Sequence, residues 1–258
     1  RRSRGLTEET HSSSSEGVPE LPTFFDLLPI DKHAEIFGLT LHQLLPIVMS
    51  MMIIVFLGLF SMMATRNLKK IPCGVQSILE ILVEALDGFV KSILGRMSDK
   101  FLPFIGTLFL YILIMNLIGQ VPLLHSPTTN YNTTLALTLL VFVATHYYGL
   151  KHNGPVKYVK HMMGEPRWMS PMLFPLHIMS EFLTRPLSLS MRLYGNLMGG
   201  HTVLSIFIGL SPLLLGFIPI PIHFPFVLLD LLLASLQAFI FAFLASFYIA
   251  GSIGEKHL

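Results

Sequence analysis

Long runs of apolar residues decide what this chain can become. Five segments, at 44–64, 101–124, 133–150, 171–210 and 222–254, carry almost continuous Leu, Ile, Val, Phe and Met. A helix needs about 20 such residues to cross a hydrocarbon core roughly 30 Å thick. In lipid, every backbone N–H and C=O must also be satisfied internally, which leaves helices or closed barrels. The sequence therefore reads as an all-α integral membrane protein. Only 12% of the 258 residues are charged, against about 25% in soluble domains.

Residues 75–96 differ from their neighbours. Ile78, Leu82, Leu86 and Phe89 recur at helical spacing, while Glu80, Glu84, Asp87 and Lys91 interrupt them. This pattern predicts an amphipathic helix lying on the membrane surface. The expected architecture is thus five membrane-embedded helices plus one surface helix, in a single membrane domain over 26–258. A polar tail over 1–25 precedes it. Its first four residues include three arginines, and Ser12 to Ser15 form a run. Its composition reads as flexible; the sharper reading is a mature end left by removal of a targeting segment.

The last two segments are too long to stand upright. Residues 171–210 form one helical pattern containing Pro175 and Pro186. At 1.5 Å per residue it would reach roughly 60 Å, about twice the hydrocarbon thickness. Two long, strongly tilted helices packed as a hairpin resolve the mismatch. Basic residues cluster after the first crossing (Arg66, Lys69, Lys70) and in the 151–167 loop (Lys151, Lys157, Lys160, Arg167). Two crossings separate these loops, which places both on one side. The N-terminus is then outside and the C-terminus inside.

The polar residues within the apolar segments point to function. His177, Glu181, Arg185, Ser188, Arg192, Asn196 and Gly199 are spaced 4, 4, 3, 4, 4 and 3 apart, forming one helical face about 100° wide. Ser190, Tyr194 and His201 lie opposite. The final segment has its own stripe, running from Asp230 through Ala234, Gln237, Phe241, Leu244, Tyr248 and Ser252 to Glu255. Gly195 and Gly199 form a GxxxG, a pattern that admits a close helix. An arginine at helix centre costs about 3 kcal/mol on insertion scales, so a deep charge usually marks an ion or substrate path. The bland alternative is an Arg192–Asp230 pair that staples two helices. For Glu181 and Arg185 it is a local i,i+4 ion pair, and for Asn196 and Gln237 an interhelical hydrogen bond.

Other classes lack support. A net charge of +2 gives no nucleic-acid footprint. Cys73 is the sole cysteine, and the eleven histidines show no metal-ligand spacing. No HExxH, CxxC, GxGxxG or P-loop pattern occurs, and no cofactor is implied.

The stretch from Arg185 to His201, Arg-Pro-Leu-Ser-Leu-Ser-Met-Arg-Leu-Tyr-Gly-Asn-Leu-Met-Gly-Gly-His, resembles the signature helix of subunit a of the F-type ATP synthase. Leu233-Ala-Ser-Leu-Gln-Ala-Phe-Ile-Phe241 resembles that subunit's last helix. The likeness extends to Asn116-Leu-Ile-Gly-Gln-Val-Pro122 and to the Phe25–Pro29 region. The resemblance implies the fixed half of a rotary proton motor, non-catalytic itself, with ATP chemistry in other subunits. The implied partners are a ring of c subunits, a peripheral stalk and other Fo subunits, in a mitochondrial inner or bacterial plasma membrane. The family's essential arginine falls on Arg192, its neighbouring amide on Asn196, and its titratable position nine residues on at His201. Gln237 and Asp230 match the last-helix glutamine and the ionisable position before it. Many members carry an acid where this chain has Ile178, which leaves His177 or Glu181 to replace it. Arg185, Ser188 and Tyr248 complete the candidate proton path. The competing readings are a secondary transporter or channel, a sodium-coupled member of the same family, and an intramembrane enzyme. A transporter would show internal repeats, and an enzyme a nucleophile–base pair at depth.

Overall fold

The structure is a computed structural model that describes residues 35–36, 39–66, 74–121, 126–155, 158, 170–215 and 223–254. The expected polar tail, the Phe25–Pro29 region, Glu255 and most of the 151–167 loop lie outside the described residues. A small antiparallel ladder, β1 (Glu35–Ile36) with β2 (Leu39–Thr40), precedes the helices. The helices are α1 (Leu41–Thr65), α2 (Val75–Leu94), α3 (Ser98–Ile118), α4 (Tyr131–Asn153), α5 (Ser170–Ile178), α6 (Arg185–Leu215) and α7 (His223–Ile253).

Short irregular turns set the joints. A 3-10 turn at Gly95–Met97 joins α2 to α3, and Gly95 takes a positive φ of 54° that a side chain would resist. Another 3-10 turn, Pro127–Thr129, leads into α4, whose first turn is capped by the Asn130 side chain accepting from Asn132 N–H. A π turn, Met179–Thr184, joins α5 to α6. Pro186 explains its position. Proline cannot donate to the carbonyl four residues back, and its ring crowds that carbonyl. The wider π turn makes room, with Arg185 N–H reaching Ser180 O instead. Prolines 175 and 186 therefore leave the pattern helical, and the helix runs on through Ser211 and Pro212 to Leu215, beyond the end expected near 210.

Four stretches among the described residues are long and apolar enough to cross a membrane: 44–65, 76–118, 131–153 and 224–253. The second joins the expected surface helix to the following crossing in 43 residues.

The core forms where α7 packs against α3, α4 and α6. Ala234, Ala238, Ala242, Ala245 and Ala250 give α7 a small-residue face, and all five are buried. Lipid tails are as apolar as leucine, so close backbone approach and dispersion, not water exclusion, hold such helices together. Ile105 and Ile112 of α3 and Leu189, Leu193 and Leu197 of α6 fill the spaces between them. Leu86, Val90 and Leu94 seat one face of α2 on the same core, while Ile78, Ile81 and Val83 stay exposed. The outer surface is apolar, as lipid requires: Met51, Met62 and Met63 of α1 are all exposed.

Candidate functional site

The residues singled out in the sequence divide into three places along α6. The first surrounds Asp230, which is only 3% exposed. Gln120, at the end of α3, donates from Nε2 to Asp230 Oδ2 at 2.6 Å. From the other side Asp230 lies against the α6 backbone at Gly200. A Cβ built there would stand 2.8 Å from Asp230 Cγ, so only glycine admits the carboxyl. Gly119 plays the same part for His201, whose Nε2 lies 2.9 Å from where a Cβ would stand. His201 and Asp230 are thus neighbours across α6 and α7.

A ladder of polar side chains leads to this pair from the turn before α4. The hydroxyls of Ser126 and Thr128 are 2.7 Å apart. Thr128 donates to Asn116 Oδ1 at 3.1 Å, and Asn116 donates to the Ala234 carbonyl at 3.1 Å. One turn further along α6, Asn196 Nδ2 donates to Gln237 Oε1 at 2.7 Å, which couples the two helices. Gln120 Oε1, His201 Nε2 and Gln237 Nε2 are buried without a partner among the described residues. Buried polar atoms are nearly always hydrogen-bonded. Three such atoms cluster around one ladder.

The second place is the outward face of α6. Arg192 is exposed, alongside Leu187, Met191 and Met198. Among the described residues it has no hydrogen bond or ion pair, and the Arg192–Asp230 staple does not form, since Asp230 is turned toward Gln120. Ser188 and Asn196 share this face. Cβ atoms built on Gly195 and Gly199 would meet nothing within 4 Å. The GxxxG pair therefore meets no helix among the described residues; Gly200, beside it, is the glycine that does.

The third place lies near the start of α6. Glu181, on the π turn, pairs with Arg185, and the Arg185 guanidinium stacks 5.0 Å above the Tyr248 ring. These residues line a cavity whose water-accommodating volume is about 20 Å³, with Thr138, Thr145 and His146 of α4. His177 is exposed, away from this group. Tyr158 is close by, and burial, with the Glu181 charge adding to it, pushes its phenol up from the usual 10.0.

Sequence reasoning passed over several residues of these clusters, among them Asn116 on α3, Gln120 in the turn just beyond it, and His146 on α4. The signal was present in each case. Paired amides or an imidazole in a run of apolar residues carry the same cost that drew attention to Arg192.

A buried carboxyl with amides and imidazoles around it, in a bundle of long apolar helices, defines a multi-pass membrane protein with a polar interior. Comparison with known proteins makes this specific. The family model described as ATP synthase A chain matches residues 46–250. ATP synthase subunit a of Trichlorobacter lovleyi is 42% identical over 205 residues, covering 80% of this chain and 85% of that protein. Those of Geotalea uraniireducens and Geobacter sulfurreducens are 41% and 40% identical over 206 residues, each covering 80% of this chain and 86% of the relative. The chain belongs to the ATP synthase A chain family.

Proposed function

We propose that this chain is the proton-translocating stator subunit of an F-type ATP synthase, with two aqueous half-channels separated by Arg192. The observation that carries the reading is the placement of Arg192: a permanent charge on the outward face of α6, with no counter-ion among the described residues. A guanidinium there needs a partner supplied from outside. The carboxylates of a c-subunit ring provide it.

The dimensions suit this division. Along α6, Arg192 is nine residues before His201, about 13 Å, and eleven after Glu181, about 16 Å. Neither gap is crossed by one proton hop. In the first half-channel, Asp230 and His201 take protons from water led in past Ser126, Thr128 and Asn116. Asn196 and Gln237 carry that polar route to the ring-facing surface. In the second, Glu181 replaces the acid missing at Ile178, with Arg185, Ser188 and Tyr248 beside it, while His177 stands apart. Arg192 releases a proton under no physiological condition, so it bars direct passage between the two. It also attracts the deprotonated ring carboxylate and leaves neutral ones free to move. A proton must ride the ring from one half-channel to the other, and about 2.3 kcal/mol per charge per 100 mV becomes available to bias rotation.

In this reading five helical segments embed in the membrane as one domain over 26–258, preceded by the 1–25 tail. The segment 75–96 lies along the surface, and the helices on either side of 216–222 tilt as a hairpin. The basic loops face the inner side, with the N-terminus outside. Other Fo subunits and a peripheral stalk hold the chain still against the ring. The test is purification of the tagged chain in mild detergent and reconstitution into liposomes. The reading expects a ring-containing complex that makes ATP under an imposed pH gradient without sodium. A monomer that transports ions alone would overturn it.

A further inference from the structure

Gln120 lies just past α3, in a turn that brings two residues to the Asp230–His201 pair at once. Its backbone N–H donates to the Leu117 carbonyl, and that of Val121 to the Ile118 carbonyl, both at 3.0 Å. Main chain thus holds the turn, which does not depend on the Gln120 side chain. Gly119, in the same turn, leaves room for the His201 ring. Gln120 reaches across to α7, where its Nε2 meets Asp230 Oδ2 at 2.6 Å. Among the described residues this is the one hydrogen bond that the Asp230 side chain makes.

A plain tie between helices does not account for this contact. Asn116, one turn earlier, already joins α3 to α7 through the Ala234 carbonyl. Gln120 also keeps its Oε1 buried and without a partner among the described residues. Its amide therefore uses one end on Asp230 and holds an acceptor in reserve. That acceptor matters to a partner whose protonation changes. An ionised carboxylate only accepts, whereas a protonated carboxyl also donates an O–H. A side-chain amide answers both, with its N–H for the first and its oxygen for the second. Half a turn about its last torsion, which is roughly two-fold, exchanges them. The 2.6 Å separation is one that O–H···O bonds also occupy. A lysine or arginine in the same place would favour the charged form alone.

We propose that Gln120 is the positioning residue for Asp230, holding its carboxyl in one place through both protonation states. The inference rests on the half-channel reading above, in which Asp230 takes up protons and passes them on. While Asp230 is ionised, Gln120 Nε2 donates to Oδ2. When a proton arrives on Oδ2, the amide turns and Oε1 accepts the new O–H; when the proton leaves, the amide turns back. Gln120 itself gains and loses no proton. On its other side the carboxyl lies against the α6 backbone at Gly200. The titratable neighbour, His201, comes from α6, while α3 and its turn bring the amides of Asn116 and Gln120. With the Gln120 amide removed, nothing on the α3 side fixes which way the carboxyl faces.

The test uses the complete complex in inverted membrane vesicles, with ATP-driven proton flux measured from about pH 5 to 8 and divided by parental flux at each pH. Gln120→Leu removes donor and acceptor, while the Asn116 tie and the main-chain turn remain. It should assemble to the parental level and lose about tenfold in flux, less than the roughly hundredfold that a fixed 1 Å displacement costs. Gln120→Glu keeps the shape but can donate only while the pair of carboxyls holds a proton. Its relative flux should therefore fall as pH rises, a dependence that a packing role does not produce. Parental flux and pH profile in Gln120→Leu overturn the proposal, as does a pH-independent relative flux in Gln120→Glu, full or reduced. If Gln120→Leu does not assemble, the pH dependence of Gln120→Glu decides alone. Asp230→Asn separates this role from the reading beneath it. Slowed flux there, with parental flux in Gln120→Leu, removes only the role of Gln120; parental flux in both removes the half-channel as well.

Discussion

Gly200→Ala puts a methyl group onto the Asp230 carboxyl. The Cβ position is 2.8 Å from Asp230 Cγ and 3.2 Å from Oδ2. Ordinary carbon–carbon contact is about 3.5–4.0 Å, so the carboxyl must retreat by roughly 1 Å. It has little room, because Gln120 holds it at 2.6 Å and it is 3% exposed. Overpacking of this kind costs about 1–3 kcal/mol, and loss of a hydrogen bond to a carboxylate about 1.5–3 kcal/mol. Alanine returns about 1 kcal/mol through its helix propensity. The net loss of stability is about 1.5–5 kcal/mol. Proton transfer depends far more steeply on geometry, and a 1 Å displacement costs about a hundredfold. Gly200→Ala should therefore assemble and pump poorly. The assay is ATP-driven acidification of inverted vesicles, normalised to complex content by immunoblot, with Gly106→Ala as control because a Cβ there meets nothing within 4 Å. Parental pumping by Gly200→Ala would refute a working role for the Asp230 position.

Further outcomes follow from the same contacts. Asp230→Asn keeps the side-chain shape but removes the titratable oxygen, and should lower proton flux across the pH range; unchanged flux at every pH would take Asp230 out of the path. Gly195→Ala and Gly199→Ala clash with nothing among the described residues, so they should leave the chain's folding intact and weaken coupling only through an outside partner, read by comparing complex yield with pumping. Asn153 donates to the Ser252 and Ile253 carbonyls at the end of α7, both at 3.0 Å. Asn153→Ala leaves these carbonyls unmet and should destabilise the helix end by about 1–2 kcal/mol, seen as earlier thermal dissociation of the complex. The raised pKa of Tyr158 means the folded chain keeps that proton after the unfolded chain has lost it. Its contribution to stability is thus full below pH 10 and falls as pH rises further; Tyr158→Phe should remove that part of the alkaline loss in denaturation curves.

The helical membrane architecture was legible because lipid leaves the backbone few options, and apolar length reports directly on crossing. The α7 stripe was legible too: Asp230, Ala234, Gln237, Phe241 and Ser252 are all buried. Periodicity on α6 correctly separated Arg192 from His201, since opposite faces of a helix must meet different neighbours. Three things were hidden. The π turn at Met179–Thr184 answers a local conflict at Pro186 that a 3.6-residue period does not express. The GxxxG spacing named small residues without saying which face meets a helix of the same chain, and that proved to be Gly200. Gln120 and His146 become visible as site residues only when α3 packs on α7 and α4 on the π turn, because their partners are about 110 and 35 residues away along the chain.

The most direct test of the account is Arg192→Ala in the complete complex, with ATP synthesis and passive proton conduction measured on the same vesicles. If Arg192 is the barrier between two half-channels, synthesis is lost while protons still cross membranes stripped of the catalytic sector, because conduction no longer requires the ring to turn. ATP synthesis at the parental rate in Arg192→Ala would contradict it.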